Sequence, residues 1–402
     1  MQEKRFLKDV QTIFRRITSG GNYIPEIDGL RFVAIAAVLI YHVGRMTEMR
    51  VHPYHAPANA LLAFCGRLLF NGARGVPVFF AISGFVLGIP FARQYLAGGK
   101  GVSLKQYFLR RVTRLEPPYV LTQSIRLYPV MVVKNLTFLQ VLPHFLAGLL
   151  YVHLLIYRSY PLVQIVGWSL ELEIQFYLLA PLLARVFFRS SPWQRRTLLY
   201  GFLLAHWALI YLFAGPTPGE WATGTLVQKY INLTILYWIR FFVAGLAVAD
   251  LYVTVFPRMK AHWIWDVVGA PCLVLPFALG SMAWDFWGPW VLVVGFVSAF
   301  HGPVLRWFFR NAFVGIVGGM CYSLYLTHSI ALQAFYLVYM KVLPGIHGFL
   351  ARLVVGEILI LPLLLVVGSV FYLLIERPCM DRNWPVKLRN WARRKLAGTA
   401  AQ

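Results

Sequence analysis

Apolar stretches about as long as a bilayer is thick recur along the whole chain, separated by short basic clusters. A transmembrane helix needs about 20 predominantly apolar residues to cross the hydrocarbon core. Such segments lie at residues 26–46, 74–94, 115–134, 165–188, 197–214, 230–252, 262–280, 287–304, 312–340 and 351–375. The pattern predicts an all-α polytopic membrane protein with about ten transmembrane helices.

A further apolar segment at residues 138–157 is interrupted by Pro143, His144 and His153. Cytoplasmic loops of membrane proteins carry an excess of lysine and arginine. The basic clusters lie at residues 100–114, 185–196, 258–260 and 306–310, and after Glu376. They share one side only if residues 138–157 do not cross. We therefore predict an outer-leaflet or re-entrant segment there, and both termini in the cytoplasm.

The chain is predicted to divide into a membrane domain and two basic ends. Residues 1–20 place apolar side chains on one helix face with lysine and arginine beside them, which predicts an amphipathic interfacial helix. Residues 21–380 form the transmembrane domain, and residues 381–402 form a basic cytoplasmic tail. Because the first 20 residues are basic rather than apolar, no cleavable signal peptide is expected.

The amino-acid composition is that of a membrane protein, and this affects how its high positive charge is interpreted. Of 402 residues, 59% are hydrophobic and 13% are charged, whereas a soluble domain carries about 25% charged residues. The net charge of +23 lies between apolar segments, where it sets topology and contacts anionic lipids. We therefore expect a lipid bilayer as partner and no nucleic acid. The four cysteines show no metal-ligand spacing, so no metal is expected.

Two ionisable residues, Arg31 and His42, lie inside the first apolar segment. Eleven helical steps of about 100° and about 1.5 Å leave them roughly 20° apart in direction and roughly 16 Å apart along the axis. Ionisable groups inside a membrane are costly and usually functional. The pair suits a ligand with an anionic head and a reactive tail. The alternative is a snorkelling anchor at Arg31 and a packing histidine at His42.

A second basic pair, Arg111 and Arg114, lies three residues apart before an apolar segment and therefore shares a helix face. Two guanidinium groups at the cytoplasmic mouth can hold phosphate through bidentate hydrogen bonds. The alternative is that both arginines only mark the cytoplasmic side.

The fourth apolar segment begins with two acids, Glu171 and Glu173. Residues two apart face different directions, so we expect one carboxylate inside the bundle and one toward its surface. Glu173 shares a face with Tyr177, four residues on.

His328 in the ninth segment is a candidate second base, although helix–helix hydrogen bonding is the commoner role for such a residue. Arg126 and Glu357 also lie in or near apolar segments and are candidates for an ion pair.

Six short motifs carry a resemblance to a known family. They are PEIDGLR at 25–31 with His42, VFFAISGFVL at 78–87, the Arg111/Arg114 pair, WSLELEIQFY at 168–177, YSLYLTH at 322–328, and ERP at 376–378. Their content and order resemble the acyltransferase 3 family of membrane acyltransferases. Glu171 and Ile174 depart from the family pattern, so the family glutamate is carried over to Glu173. Thr327 replaces the usual tryptophan before His328.

The resemblance implies ten transmembrane helices and transfer of an acyl group, usually acetyl from acetyl-CoA, to a hydroxyl. Acceptors in the family are mostly surface glycans and sometimes small molecules. His42 and Arg31 would be catalytic, and Arg111 and Arg114 would bind the coenzyme A nucleotide. Apart from the resemblance, we expect Glu173 to orient or charge-stabilise His42 if the first and fourth spans pack together. Further site candidates are Ser83, Trp168, Tyr177, Tyr322, Ser323 and His328. Acyl-CoA would be a co-substrate rather than a permanently bound cofactor, and the location a bacterial cytoplasmic (inner) membrane.

These residues leave several hypotheses open. His42 can deprotonate the acceptor hydroxyl or transiently accept the acyl group. A transporter or flippase, an acyl shuttle that serves a separate periplasmic transferase, and a membrane-bound O-acyltransferase of the other large family are the alternatives. HExxH, GxSxG and P-loop motifs do not occur, so a zinc protease, serine hydrolase or P-loop ATPase has no support.

Overall fold

The structure is a computed structural model, and helices are the regular secondary structure of the residues that it describes. These are residues 13–14, 16, 23–50, 59–214, 230–342, 345–346, 348–381, 383–387 and 389–390. No strand occurs among them. Most of the predicted amphipathic helix at 1–20 and of the basic tail at 381–402 lies outside the described residues.

The described part of the chain contains sixteen main α-helices. In chain order they are α1 (Pro25–Arg50), α2 (Ala60–Phe70), α3 (Gly75–Leu96), α4 (Leu104–Lys134), α5 (Phe138–Leu149), α6 (His153–Tyr157), α7 (Gly167–Phe188), α8 (Pro192–Ala214), α9 (Ile235–Thr254), α10 (Ile264–Ala278), α11 (Ser281–His301), α12 (Pro303–Phe309), α13 (Ala312–Gly319), α14 (Cys321–Ala334), α15 (Tyr336–Val342) and α16 (Phe349–Phe371). A π-helical turn at Tyr372–Glu376 continues α16 and leads into Arg377–Cys379.

Six segments of the described chain are long and apolar enough to cross a membrane. They are Pro25–Thr47, Gly72–Leu96, Pro192–Phe213, Tyr230–Thr254, Ser281–His301 and Leu350–Cys379. The bent pair of α13 and α14 makes a seventh if it counts as one span. The chain is therefore a multi-pass helical protein with six or seven spans by length and composition.

Three of the ten expected spans differ in character from these. Residues 115–134 belong to the 31-residue α4, which begins in a basic sequence. Residues 165–188 fall mainly in α7, which carries two glutamates and an arginine. Residues 262–280 contain the 15-residue α10, which is roughly 22 Å long and shorter than a hydrocarbon core.

The expected continuous helix at residues 312–340 is broken instead. α13 and α14 meet at an angle of 66°, and α15 follows as a separate helix. Gly318 and Gly319 end α13, and glycine is a poor helix former. A Cβ on Gly318 would lie 1.7 Å from the Asp28 carbonyl oxygen, so only glycine permits this approach to α1. The break turns the first residues of α14 toward the interior.

Residues 138–157 form two short helices rather than one span. α5 has 12 residues and α6 has 5, each fewer than the about 20 that a crossing requires. α5 begins with a reciprocal cap between Thr137 and Gln140, which ends any helical continuity with α4. The geometry favours the prediction that this segment stays on one side.

The centre of the bundle is the packing of α9 against α3 and α7. Phe242 stacks on Phe80 and on Phe176, with ring centroids 4.5 and 4.1 Å apart. A Cβ on Gly84 would lie 2.0 Å from the Phe242 carbonyl oxygen, so the two backbones touch as small-residue membrane interfaces allow. This contact fixes the inner face of α3, which borders the site.

Candidate active site

A cavity of about 450 Å³ lies between α1, α3, α4, α7 and the start of α14. Among the described residues that line it, six are arginines and two are carboxylates. They are Arg16, Arg31, Arg93, Arg110, Arg111 and Arg114, with Asp28 and Glu173. A concave site with this excess of cations attracts anions. We call it the donor cavity.

Most of the predicted site residues border this cavity. Those that do are Arg31, Ser83, Arg111, Arg114, Glu173, Tyr177 and Tyr322. In the described part of the chain, the lining does not include His42, Trp168, Ser323 or His328. The predicted residues that border the cavity come from all five of the helices around it, and the other four lie outside its lining.

Arg31 is held by a carboxylate one turn earlier on α1. Its Nη1 donates to Asp28 Oδ1 at 2.5 Å, and the Arg31 side chain is 11% exposed. Asp28 also lies 3.6 Å from Arg16 Nη1. A snorkelling anchor would extend into the head-group layer. Arg31 instead faces the donor cavity as a paired, mostly buried cation.

Arg111 rests on aromatic rings. Its guanidinium lies 3.7 Å from the centroid of the Tyr107 ring and 5.4 Å from that of Tyr177, within the range of cation–π attraction. One Nη1–H bonds the Tyr107 carbonyl at 2.5 Å. Arg111 forms no ion pair with any carboxylate of the described chain. Its remaining donors are therefore oriented and available to an anion.

Arg114 is tied to the far end of the chain. Its Nη2 lies 3.2 Å from Glu376 Oε1, and Glu376 is fully buried. The other carboxylate oxygen, Oε2, accepts from the Ser323 backbone N at 3.0 Å and from Ser323 Oγ at 2.6 Å. Ser323 therefore has a structural role. Three of the motifs meet at this one carboxylate, whose importance the sequence analysis missed.

Tyr322 also connects distant motifs. Its hydroxyl donates to the Leu115 carbonyl at 2.9 Å, which joins the start of α14 to α4 beside Arg114. The hydroxyl group of Tyr322 thus holds α14 against α4, while the residue also borders the donor cavity.

Glu173 holds two other predicted residues. Its Oε1 accepts from Ser83 Oγ at 2.5 Å and from Tyr177 OH at 2.6 Å. The shared face of Glu173 and Tyr177 is as expected from the sequence. No hydrogen bond joins Glu173 to His42 in the described chain, so its role in orienting His42 stays a prediction, without direct contact to support it.

Glu171 does not point to the surface, so this expectation was wrong. It is 2% exposed, and both of its carboxylate oxygens accept from the Leu154 backbone N, at 3.0 and 3.1 Å. The physical reason is that α6 packs over the start of α7. Glu171 satisfies an N–H at the start of α6 that has no partner within that helix. Both acids are thus inside the bundle, with different partners.

His42 and His328 form a pair that lies outside the donor cavity. Their ring centroids are 4.8 Å apart, with planes inclined at 41°. His328 Nδ1 lies 3.1 Å from the Leu324 carbonyl oxygen. Its Nε2 is buried and has no hydrogen-bond partner in the described structure. The sequence analysis selected His42 and His328 as independent candidates, and the packing of α14 on α1 brings the two rings together.

The remaining candidate, Trp168, packs among other aromatic side chains. Trp168 packs against Trp238, Phe80 and Tyr160, with ring centroids 5.3, 6.5 and 6.0 Å away. It belongs to an aromatic wall beside the cavity.

Arg126 and Glu357 do not pair, contrary to the sequence-based hypothesis. Arg126 Nε donates to the Val163 carbonyl at 2.6 Å, and its Nη1 lies 3.2 Å from Ser329 Oγ. Both carboxyl oxygens of Glu357 are buried without a partner in the described chain. Arg126 therefore fixes the residue that follows His328.

A comparison with protein families identifies the family of this chain. The model of the acyltransferase 3 family, described as an acyltransferase domain, matches residues 24–377. The chain belongs to the acyltransferase 3 family. The predicted family membership is thus confirmed, and the matched region contains every predicted site residue.

Two relatives of this acyltransferase 3 chain carry more specific names. Over 227 residues it is 28% identical to the peptidoglycan O-acetyltransferase OatA of Listeria monocytogenes, covering 52% of this chain and 32% of that protein. Over 171 residues it is 29% identical to the O-acetyltransferase OatA of Staphylococcus aureus, covering 40% of this chain and 24% of that protein. The matches thus span a third or less of these relatives' length. No solved structure matches the chain.

The structure adds three residues to the candidate site that the sequence analysis did not select. Asp28 pairs with Arg31, Tyr107 supports Arg111, and Glu376 joins Arg114 to α14. Asp28 and Glu376 fall within the motifs that carried the resemblance. Because buried arginines need carboxylate partners, the acidic residues inside those motifs could have been selected from the sequence as partners of Arg31 and Arg114.

Proposed function

We propose that this chain is a membrane O-acyltransferase. It moves an acyl group, most simply acetyl, from acyl-CoA on the cytoplasmic side to a hydroxyl of a glycan or another acceptor on the outer side of a bacterial cytoplasmic membrane. The observation that carries the proposal is the arginine-lined donor cavity, in a chain of the acyltransferase 3 family. The names of the two relatives support acetyl as the group.

The donor cavity suits the phosphate-bearing end of coenzyme A in charge. Coenzyme A carries its phosphates at one end and its thioester at the other. Arg111 presents oriented N–H groups, and Arg31 and Arg114 add paired cations beside it. Guanidinium groups bind phosphate by parallel hydrogen bonds. A volume of about 450 Å³ lies within the range of small-molecule pockets, about 300–1,000 Å³.

The acyl end of the donor would extend along α1 toward His42. Arg31 and His42 are separated by roughly 16 Å along this helix. In our proposal, His42 accepts the proton of the acceptor hydroxyl as the oxygen attacks the thioester carbonyl carbon. The carbon–sulfur bond then breaks, and the thiolate takes up the proton to leave as free coenzyme A. His328, beside His42, would position the imidazole.

The proposal includes a topology of ten spans with both termini in the cytoplasm. The proposal counts as spans the six candidate segments, the bent α13–α14 pair, and the helices α4, α7 and α10. α5 and α6 do not cross, in agreement with their lengths. In this arrangement the donor cavity faces the cytoplasm and the histidine pair lies toward the outer half.

The purified chain, reconstituted in liposomes, tests the proposed activity. With radiolabelled acetyl-CoA on the cytoplasmic face and a glycan acceptor on the other, we expect release of free coenzyme A and label on the acceptor. Substrate transport without cleavage of the thioester would identify a transporter or flippase. Acceptor labelling only after addition of a second protein would identify an acyl shuttle.

Cysteine labelling tests the topology separately. Cys65 is half-exposed in α2 and is expected on the outer side, while Arg189, at the end of α7, is expected in the cytoplasm. A membrane-impermeant thiol reagent should label Cys65 in intact cells. In an otherwise cysteine-free variant, the new thiol of Arg189→Cys should react only after permeabilisation. Labelling of that cysteine from outside would contradict the ten-span arrangement without bearing on acyl transfer.

A further inference from the structure

Residues before the family match touch the donor cavity. Phe14 stacks on Tyr372, with ring centroids 6.2 Å apart and planes inclined at 12°. The Tyr372 hydroxyl donates to the Phe14 carbonyl at 3.1 Å. Tyr372 is fully buried and begins the π-helical turn that ends at Glu376. Phe14 is therefore anchored next to the carboxylate that holds Arg114.

Two residues on, Arg16 lines the cavity. Its side chain is 14% exposed, and its Nη1 lies 3.6 Å from Asp28 Oδ1. Asp28 Oδ1 already accepts from Arg31 at the shorter distance of 2.5 Å. Arg16 is thus the second cation on one carboxylate oxygen, and it has little water around it.

The local charges are unbalanced. Arg16, Arg31 and Arg114 gather around two carboxylates, Asp28 and Glu376. Burial, followed by the charges of Arg114 and Arg31, lowers the pKa of Arg16 to about 9. A buried cation requires a compensating anion. The cluster is one anion short, and the side chain that lacks it faces an open cavity.

We infer that Phe14 and Arg16 belong to the donor site, with Arg16 binding a phosphate group of acyl-CoA beside Arg31 and Arg114, and Phe14 acting as a positioning residue through its stack on Tyr372. This inference rests on the proposed function. It adds a donor contact from outside the matched residues 24–377, and it assigns a ligand to the cation that Asp28 leaves partly unpaired.

The test compares two donors that differ in their phosphates. Acetyl-CoA carries them, whereas S-acetylpantetheine has the same thioester arm without any phosphate. In phosphatidylcholine vesicles, Arg16→Ala should raise KM for acetyl-CoA roughly tenfold or more, the usual effect of losing a charged hydrogen bond. Its kcat and its KM for S-acetylpantetheine should match the unaltered chain. Arg16→Lys should recover part of the loss.

A matched control separates this effect from general damage. Arg352 is a half-buried arginine at the opposite end of α16 that donates to the Ile346 carbonyl, and Arg352→Ala should leave both KM values unchanged. Phe14→Ala should raise KM for acetyl-CoA in the same direction as Arg16→Ala, but less. Arg16→Gln, which keeps most of the side-chain volume, replaces Arg16→Ala if the alanine variant does not fold.

Three outcomes would overturn the inference. Unchanged KM for acetyl-CoA in the Arg16 variants, with a raised KM in Arg111→Ala, would remove Arg16 from the donor site and leave the proposed function intact. An equal loss with both donors would make Arg16 structural. A loss that appears only in vesicles with anionic phosphatidylglycerol would show that the anion is a lipid head group. Failure of the unaltered chain to use either donor would instead refute the proposed function.

Discussion

The donor cavity and the histidine pair share two helices, α1 and α14, but differ in the groups that surround them. α1 supplies Arg31 at one end and His42 farther along, and α14 supplies Tyr322 and His328 in the same way. Around Arg31, arginines are matched with buried carboxylates and aromatic rings. Around His42, the neighbouring group is another imidazole, and neither histidine forms an ion pair in the described structure.

This difference suggests a division of labour along one axis. Paired, pre-oriented cations bind an anion without reorganisation. Two neighbouring imidazoles, one with a buried Nε2 lacking a partner in the described structure, offer proton transfer. Because both ends lie on continuous helices, the distance between binding and reaction is fixed, as efficient positioning of reactants requires. Substitutions at the two ends should therefore have separable kinetic effects.

The largest effect should come from the histidine end. His42→Ala should lower kcat by roughly 10² to 10⁴, the usual loss on removing a general acid–base group, with KM for acetyl-CoA within about twofold because the donor cavity is intact. Steady-state kinetics in reconstituted membranes measure both. His206→Ala is the control, because His206 bonds the Leu236 carbonyl on α9, away from the site. Near-normal turnover of His42→Ala would exclude His42 from the reaction.

Removing Arg111 should give the opposite kinetic pattern. Arg111→Ala loses the cation that rests on Tyr107 and should weaken acetyl-CoA binding by about one to two decades, the equivalent of about 1.5–3 kcal/mol, with kcat largely kept. Arg111→Lys should recover only part, since an ammonium lacks the planar fork. Arg258→Ala is the control, because Arg258 is exposed and bonds only its own helix turn at Thr254. A fall in kcat as large as that of His42→Ala would abolish the distinction between the two ends.

The sequence predicted relations between residues of one helix better than contacts between different helices. Predictions of which side chains share a helix face agree with the structure, because the 3.6-residue period of the helix determines them. Arg31 faces the interior, and Glu173 and Tyr177 share a hydrogen bond. The six or seven candidate spans and the family membership agree with the apolar pattern and the motifs.

Relations between helices were mostly missed, because they depend on packing that no local pattern encodes. Glu376 reaches Arg114 across 262 positions of chain. His328 meets His42 only because α13 and α14 bend where Gly318 touches the Asp28 backbone. The Arg126–Glu357 pairing failed for the same reason, since hydropathy finds two buried charges but not their distance. Glu171 was misplaced because α6 folds back over it.

We expect the smallest kinetic effects from substitutions of the two glutamates of α7, Glu171 and Glu173. Glu173→Gln keeps the shape but weakens the charge-assisted hydrogen bonds from Ser83 and Tyr177. Charged hydrogen bonds exceed neutral ones by about 1 kcal/mol, so we expect up to roughly tenfold lower kcat/KM for acetyl-CoA. Glu171→Gln can still accept from the Leu154 N–H through its amide oxygen. We therefore expect unchanged kinetics and a loss of stability of about 1 kcal/mol or less, measured by thermal unfolding.

Combining Glu173→Gln with His42→Ala decides to which end Glu173 belongs. As a donor-cavity residue without direct contact to His42, it should affect mainly KM, and its effect should add to that of His42→Ala, as for independent sites. A kcat loss that vanishes in the His42→Ala background would show that Glu173 acts through the imidazole, as expected if α1 and α7 pack together. The histidine end would then include a carboxylate after all, and the contrast with the donor cavity would be one of distance rather than of charge.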